Sequence, residues 1–220
     1  MGLTVTARDG HEFGAYRADP DGAVKGGIVV IQEIFGVNIH IRDVTDGFAR
    51  AGYAAIAPQI FDRVERGLEL GYTGDDVARG RDTRAKLGFD DPILDIAACV
   101  EILKGEGLKV GTVGYCYGGA LAWLSAARID GLSAAVGYYG TAANFKDEAP
   151  KCPVLLHYGE KDQMIPHSDA DLLKAMYRNV DAHVYPADHG FNCDRRGSYH
   201  KASADIALDR TLAFFGEHLT

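Results

Sequence analysis

The reading turns on one stretch, Val110-Gly111-Thr112-Val113-Gly114-Tyr115-Cys116-Tyr117-Gly118-Gly119. Its first four residues make an apolar run that predicts a buried strand. The small and apolar residues that follow, Ala120, Leu121, Ala122, Trp123 and Leu124, predict a helix. Between them lies G-x-C-x-G, the pattern of a nucleophile elbow with cysteine in place of serine. On so sharp a strand-to-helix turn, side chains two residues either side of the nucleophile would strike neighbouring backbone. Gly114 and Gly118 remove them. The turn also sets the sulfur at a helix N-terminus, facing the positive end of the helix dipole. The amide of Tyr117 is then placed to donate to a developing oxyanion. A packing cysteine between chance glycines would account for G-x-C-x-G alone. It would not account for the strand before it, the helix after it and the added Gly119.

Outward from this stretch, further apolar runs at 28–31, 53–57, 134–138 and 154–157 are unbroken, as strands buried on both faces are. A short last strand ends at Val184-Tyr185-Pro186, and 3–7 with 12–17 read as a hairpin about Asp9-Gly10. Helices are predicted near 39–51, 75–87, 119–128, 168–177 and 202–218. Another has Asp91 as N-cap, Pro92 in its first turn and Gly105 as its stop. It carries Ile93, Ile96, Val100 and Leu103 at helical spacing, with Cys99 as filler. No repeat or linker divides the chain. The alternation predicts an α/β fold over residues 1–220 as one domain, with a mostly parallel central sheet flanked by helices on both faces. Such sheets bind ligands beyond the C-terminal ends of their strands, so each candidate should follow a strand.

Two downstream loops pass that test. Val154-Leu155-Leu156-His157-Tyr158-Gly159 leads into Glu160-Lys161-Asp162, and Asp162 is the candidate acid. Its segment Gly-x-x-Asp-x-x-x-Pro resembles the acid loop of α/β-hydrolases, which favours it over Glu160. His189 follows the last strand and precedes the C-terminal helix, where that fold carries its base. The order nucleophile, acid, base is also that of the fold. Of the other histidines, His11, His40, His183, His200 and His218 are expected on surfaces, His157 in a strand core and His167 at a helix start.

With these residues in view, the chain resembles the dienelactone hydrolase (carboxymethylenebutenolidase) family along nearly its whole length. The likeness rests chiefly on Gln32-Glu33-Ile34-Phe35-Gly36-Val37-Asn38 and the cysteine elbow. It extends through Gly52-Tyr53-Ala54-Ala55, Val136-Gly137-Tyr138-Tyr139-Gly140 and Arg210-Thr211-Leu212-Ala213-Phe214-Phe215. The resemblance implies that Glu33 contacts the resting thiol and helps switch it to thiolate, and that the Ile34 amide is a second oxyanion donor beside Tyr117. It implies substrates that are lactones bearing a carboxylate held by two arginines. Arg81 matches one of them. The second family arginine lies four residues after the histidine, where this chain has Cys193; Arg195 and Arg196 are the nearby substitutes. Tyr139 is counted with the substrate-binding candidates. Gln59 and Gly88 also depart from the family pattern, Gly88 standing where the family has an aromatic, and these imply a reshaped pocket. The activity implied is cleavage of small lactones or esters by a Cys116–His189–Asp162 triad. A broader esterase or thioesterase is the alternative. A ligand receptor or redox sensor would have no need of all three residues.

Composition narrows the partners. The formal net charge is −8, which disfavours phosphate backbones and anionic membranes. Neither a signal peptide nor a membrane span is read from the sequence, so a cytoplasmic location is expected. Four scattered cysteines without C-x-x-C predict reduced thiols and no zinc site. His189 and Cys193 have helical metal spacing but fall in a loop. No metal, cofactor or nucleic acid is expected, and the resemblance suggests a monomer.

Overall fold

The computed structural model describes residues 2–220. Its strands are β1 (Gly2–Thr6), β2 (Glu12–Ala18), β3 (Gly27–Ile31), β4 (Ala54–Pro58), β5 (Val110–Tyr115), β6 (Ala134–Tyr138), β7 (Val154–Gly159) and β8 (Val180–Tyr185). Its helices are α1 (Ile39–Arg50), α2 (Gly74–Leu87), α3 (Asp91–Gly105), α4 (Tyr117–Arg128), α5 (Ser168–Met176) and α6 (Lys201–Leu219). The strands form one sheet in the order β1-β2-β4-β3-β5-β6-β7-β8. β1 and β2 pair antiparallel with each other and β2 pairs antiparallel with β4; every pairing from β4 to β8 is parallel.

The unbroken apolar runs have a direct cause. Along β3, Val29 and Ile31 point into one core while Ile28 and Val30 point into the other, and all four are fully buried. α3, α4 and α5 cover the first face through residues such as Ile96, Leu121 and Leu173. α1 and α6 cover the second through Ile41, Phe48, Ala207 and Phe215. A strand sandwiched in this way has no solvent side on which to place polar residues.

Local details refine or correct the sequence reading. β8 runs Val180–Tyr185, so it ends where the last strand was expected to end and its start, not fixed by the sequence reading, lies at Val180. It is an edge strand in which Asp181 and Val184 are exposed and His183 is half-buried, so its apolar signal is diluted. α4 begins at Tyr117, immediately after the nucleophile position. α3 takes Asp90 as its cap residue, so Asp91 already belongs to the helix. His40, expected at the surface, is buried at the start of α1.

Candidate active site

Cys116 stands at the end of β5 with φ 55° and ψ −113°, a left-handed conformation that costs a non-glycine residue of order 1–3 kcal/mol. The surrounding backbone holds it there. A Cβ on Gly114 would lie 1.8 Å from the Gly118 carbonyl oxygen, and one on Gly118 would lie 2.4 Å from that of Ile31. Both glycines are therefore steric requirements of the turn. Cys116 is the only cysteine that is not buried.

The turn aims the sulfur at the loop after β8. His189 Nε2 lies 3.2 Å from Cys116 Sγ, and His189 Nδ1 lies 2.7 Å from Asp162 Oδ2. The other carboxylate oxygen of Asp162 accepts from the amides of Met164 at 2.8 Å and Ile165 at 3.0 Å. Asp162 is thereby fixed as an acceptor toward the imidazole. Burial, the largest influence on Asp162, pushes its pKa up, but His189 and the two amides outweigh it and the net shift is downward. For His189, burial alone would favour the neutral ring. The hydrogen bonds to Asp162 and Cys116 prevail and push its pKa up to about 10. Both shifts favour an imidazolium beside a carboxylate. The Tyr139 ring packs against the imidazole at 5.1 Å between centroids, itself at a positive φ of 39°.

A cavity of about 220 Å³ opens above Cys116 and His189. Ile34 and Tyr117 line it, as the sequence reading requires of the two oxyanion donors. Tyr117 is the first residue of α4, where amides lack intrahelical acceptors. The loop carrying Glu33 and Ile34 is firmly built. Gly36 adopts φ +78°, where a Cβ would lie 2.0 Å from the Leu68 carbonyl oxygen. Asn38 caps α1 through the Ile41 amide and donates to the Leu70 carbonyl.

The arginines separate clearly. Arg196 lines the cavity, donates from Nη1 to Glu33 Oε1 at 3.2 Å, and sits over the Phe35 ring. It occupies the cavity wall although it lies seven positions after His189. Arg195 does not line the cavity: its guanidinium turns outward to Asp43 at 3.0 Å and to Asp194. Arg81 lines the cavity from α2 with its guanidinium near the Met164 sulfur, and makes no salt bridge among the described residues. Glu33, expected against the thiol, bonds Arg196 instead; the thiol's partner is His189. The guanidinium competes for that carboxylate and wins it.

Arg84, Phe89 and Met164 are among the cavity residues that escaped the sequence reading. Arg84 lies one helical turn beyond Arg81 and stacks on Phe89 and Tyr117. Phe89 supplies an aromatic one position after Gly88, where the turn at Gly88 swings it toward Tyr117. Met164 follows Asp162 closely enough to be placed with it. One possible metal-holding group lies beside the cavity: Glu33, His40 and Cys193 bring a carboxylate, an imidazole and a thiol within 4.8 Å of one another. Three separate segments supply them, so no local spacing revealed the group.

A thiol at a strained strand end, an imidazole after the last strand and a carboxylate after the neighbouring strand stand where an α/β-hydrolase carries its nucleophile, base and acid. The chain belongs to the dienelactone hydrolase family, whose model matches residues 13–219. It is 34% identical to a carboxymethylenebutenolidase of Pseudomonas putida over 227 residues, covering 97% of this chain and 94% of the relative. It is 34% identical to a protein of Azospirillum brasilense provisionally named a carboxymethylenebutenolidase, covering 99% and 98%. Among solved structures it is similar to a provisionally assigned dienelactone hydrolase from Klebsiella pneumoniae. That match has a TM-score of 0.86, 29% identity and 99% coverage of both chains. No helix among the described residues is long and apolar enough to cross a membrane.

Proposed function

We propose that the chain, acting as one domain over residues 1–220, hydrolyses small carboxylate-bearing lactones or esters through a Cys116 thioester. The observation that carries this reading is the continuous line Cys116–His189–Asp162 beneath a cavity whose wall holds Arg81, Arg84 and Arg196.

The sulfur attacks the lactone carbonyl carbon while the Ile34 and Tyr117 amides receive the negative oxygen. The ring C–O bond breaks and the enolate leaves, taking the proton of the His189 imidazolium. Acylation removes the sulfur's contribution to the raised pKa of His189, so the neutral ring that can accept a proton becomes more populated. Oriented by Asp162, it takes a proton from water, and the hydroxide carbon–oxygen bond forms as the thioester C–S bond breaks. Thiolate and imidazolium are restored, and one water has been consumed per ring opened.

The arginines supply selectivity. A guanidinium pairs with a carboxylate at two points and so orients it. Phe35, Val77, Phe89 and Ile165 give the rest of the cavity an apolar lining. That lining favours a second reading, a broader ester or thioester substrate range. The test is Cys116→Ala assayed on a dienelactone and on a neutral p-nitrophenyl ester beside the parent protein. Loss of both activities supports the thioester route; a parent preference for the carboxylate-bearing lactone supports the narrower substrate. Undiminished turnover by Cys116→Ala ends the proposal.

A further inference from the structure

Behind the cavity wall, the hydrolytic chemistry leaves two buried polar atoms with nothing to bind. Glu33 Oε2 and His40 Nε2 have no hydrogen-bond partner, although Glu33 is 1% and His40 3% exposed. Buried polar atoms are rarely left unsatisfied, because each costs the hydration it has lost. The fully buried Cys193 completes the cluster, with the three ligand atoms within 4.8 Å of one another.

From this arrangement we infer a binding site for a divalent transition-metal ion of the zinc type, ligated by Glu33, His40 and Cys193. The donor set is sulfur, nitrogen and oxygen, which zinc accepts together. Three protein ligands leave a fourth tetrahedral position for water. Atoms bonded to one tetrahedral zinc lie roughly 3.3–3.8 Å apart, so the cluster must contract by about 1–1.5 Å at most.

The histidine is prepared for this role. Asp194 Oδ1 lies 3.3 Å from His40 Nδ1 on the outer side of the ring. A proton on Nδ1 donated to that carboxylate leaves Nε2 as a lone pair directed inward. This is the carboxylate–histidine arrangement that orients metal-ligating imidazoles. The opposite side of the cluster is braced as well, since Glu33 Oε1 is held by Arg196.

His40 and Asp194 line a groove between α1 and α6 that also carries Asp43 and Asp205, which pair with Arg195 and Lys201. On binding, the Cys193 S–H proton passes to solvent and an S–metal bond replaces it. The ion would join the loop after β3, the first turn of α1 and the loop after β8, and so staple two of the loops that build the cavity.

The test uses the full-length Cys116→Ser protein, so that the catalytic thiol cannot bind metal and the outcome does not depend on hydrolysis. Cadmium is titrated while the ultraviolet thiolate-to-cadmium absorption is followed. Zinc affinity is measured against a chromophoric chelator, and melting is followed with and without zinc. One equivalent of metal, a saturating thiolate band and a zinc-dependent rise in Tm are expected. Adding Cys193→Ser should abolish the band. Asp194→Asn, at a surface position that leaves the cluster's own ligands in place, should weaken zinc binding roughly 10–100-fold. No band in Cys116→Ser, a band that survives Cys193→Ser, or unaltered zinc affinity in Asp194→Asn overturns the site. Two unpartnered atoms bridged by an ordinary water would give the first of these results.

Discussion

Arg196 Nη1 donates to Glu33 Oε1 at 3.2 Å although 163 positions separate the two residues in the chain. The contact makes one unit of the cavity wall and the loop after β3. Arg196→Ala should leave the Glu33 carboxylate buried without its cation. Breaking a buried pair from one side costs about 3–5 kcal/mol. Since Arg196 is still 22% exposed, the lower end, about 3 kcal/mol, is expected. Urea denaturation of Arg196→Ala and of Arg196→Ala/Glu33→Gln measures it; the double variant should recover much of the loss. Equal stability of the single variant and the parent would refute this account of the pair.

Asp162→Asn keeps an oxygen for the Met164 and Ile165 amides but can no longer hold His189 as an imidazolium. kcat should fall by roughly three to four orders of magnitude while the fold persists. Steady-state kinetics paired with a circular dichroism spectrum decides. A fall of less than tenfold would show that His189 orients itself without help.

Gly80, on α2 and away from the sulfur, is a second sensitive position. A Cβ there would lie 2.2 Å from the Ile34 carbonyl oxygen. Gly80→Ala should push α2 away from the loop that carries the Ile34 amide. Displacing a catalytic group by about 1 Å can cost on the order of 100-fold in rate. The expected signature is a drop in kcat exceeding any change in KM; full activity would mean that the helix moves without taking Ile34 with it.

The raised pKa of His189 fixes the direction of a stability change with pH. A group with a folded pKa near 10 and an ordinary value of 6.5 binds its proton more tightly in the folded state. Its contribution is fully present below about 6.5 and disappears as pH rises through about 10. Tm should therefore decline between these values more steeply in the parent protein than in His189→Gln. Parallel curves would contradict the strength assigned to the Asp162–His189–Cys116 chain.

Thiol chemistry offers the cheapest check. Cys99, Cys152 and Cys193 are buried and only Cys116 is partly open. Brief iodoacetamide treatment of the native protein should add a single adduct, on Cys116, by peptide mass spectrometry. Early modification of Cys193 would mean that its loop opens readily.

Much of this was legible in the sequence because the constraints are local. Gly114 answers to the Gly118 carbonyl within the turn and Gly118 to the Ile31 carbonyl at the end of β3, but both sit two positions from the sulfur, so five consecutive residues reveal the corner. Asp162 and His189 each follow a strand whose apolar run is visible, even though β8 starts earlier than its exposed edge positions suggest. Arrangements closed by tertiary contact were not legible. Arg195 and Arg196 are adjacent in sequence, and only the direction of the chain after Cys193 sends one to Asp43 and the other to Glu33. His40 reads as an ordinary polar helix residue, yet the loop after β8 folds over it. Glu33 matched its expected neighbourhood but bonds a guanidinium rather than the thiol, a choice made by a residue 163 positions away.

Cys116, Asp162 and His189, the proposed nucleophile, acid and base, follow three strands, β5, β7 and β8, of one hydrogen-bonded sheet. β8 lies three steps from β5, roughly 14 Å at about 4.8 Å per step, yet Cys116 Sγ and His189 Nε2 are 3.2 Å apart, so the loops after β7 and β8 bring the three side chains together. The sheet sets three anchor points, and the loops after β7 and β8 close the distance between them. On the proposed reading, exchanging residues on α2 and in the loop that carries Arg196 would alter what is cleaved and leave Cys116, Asp162 and His189 in place.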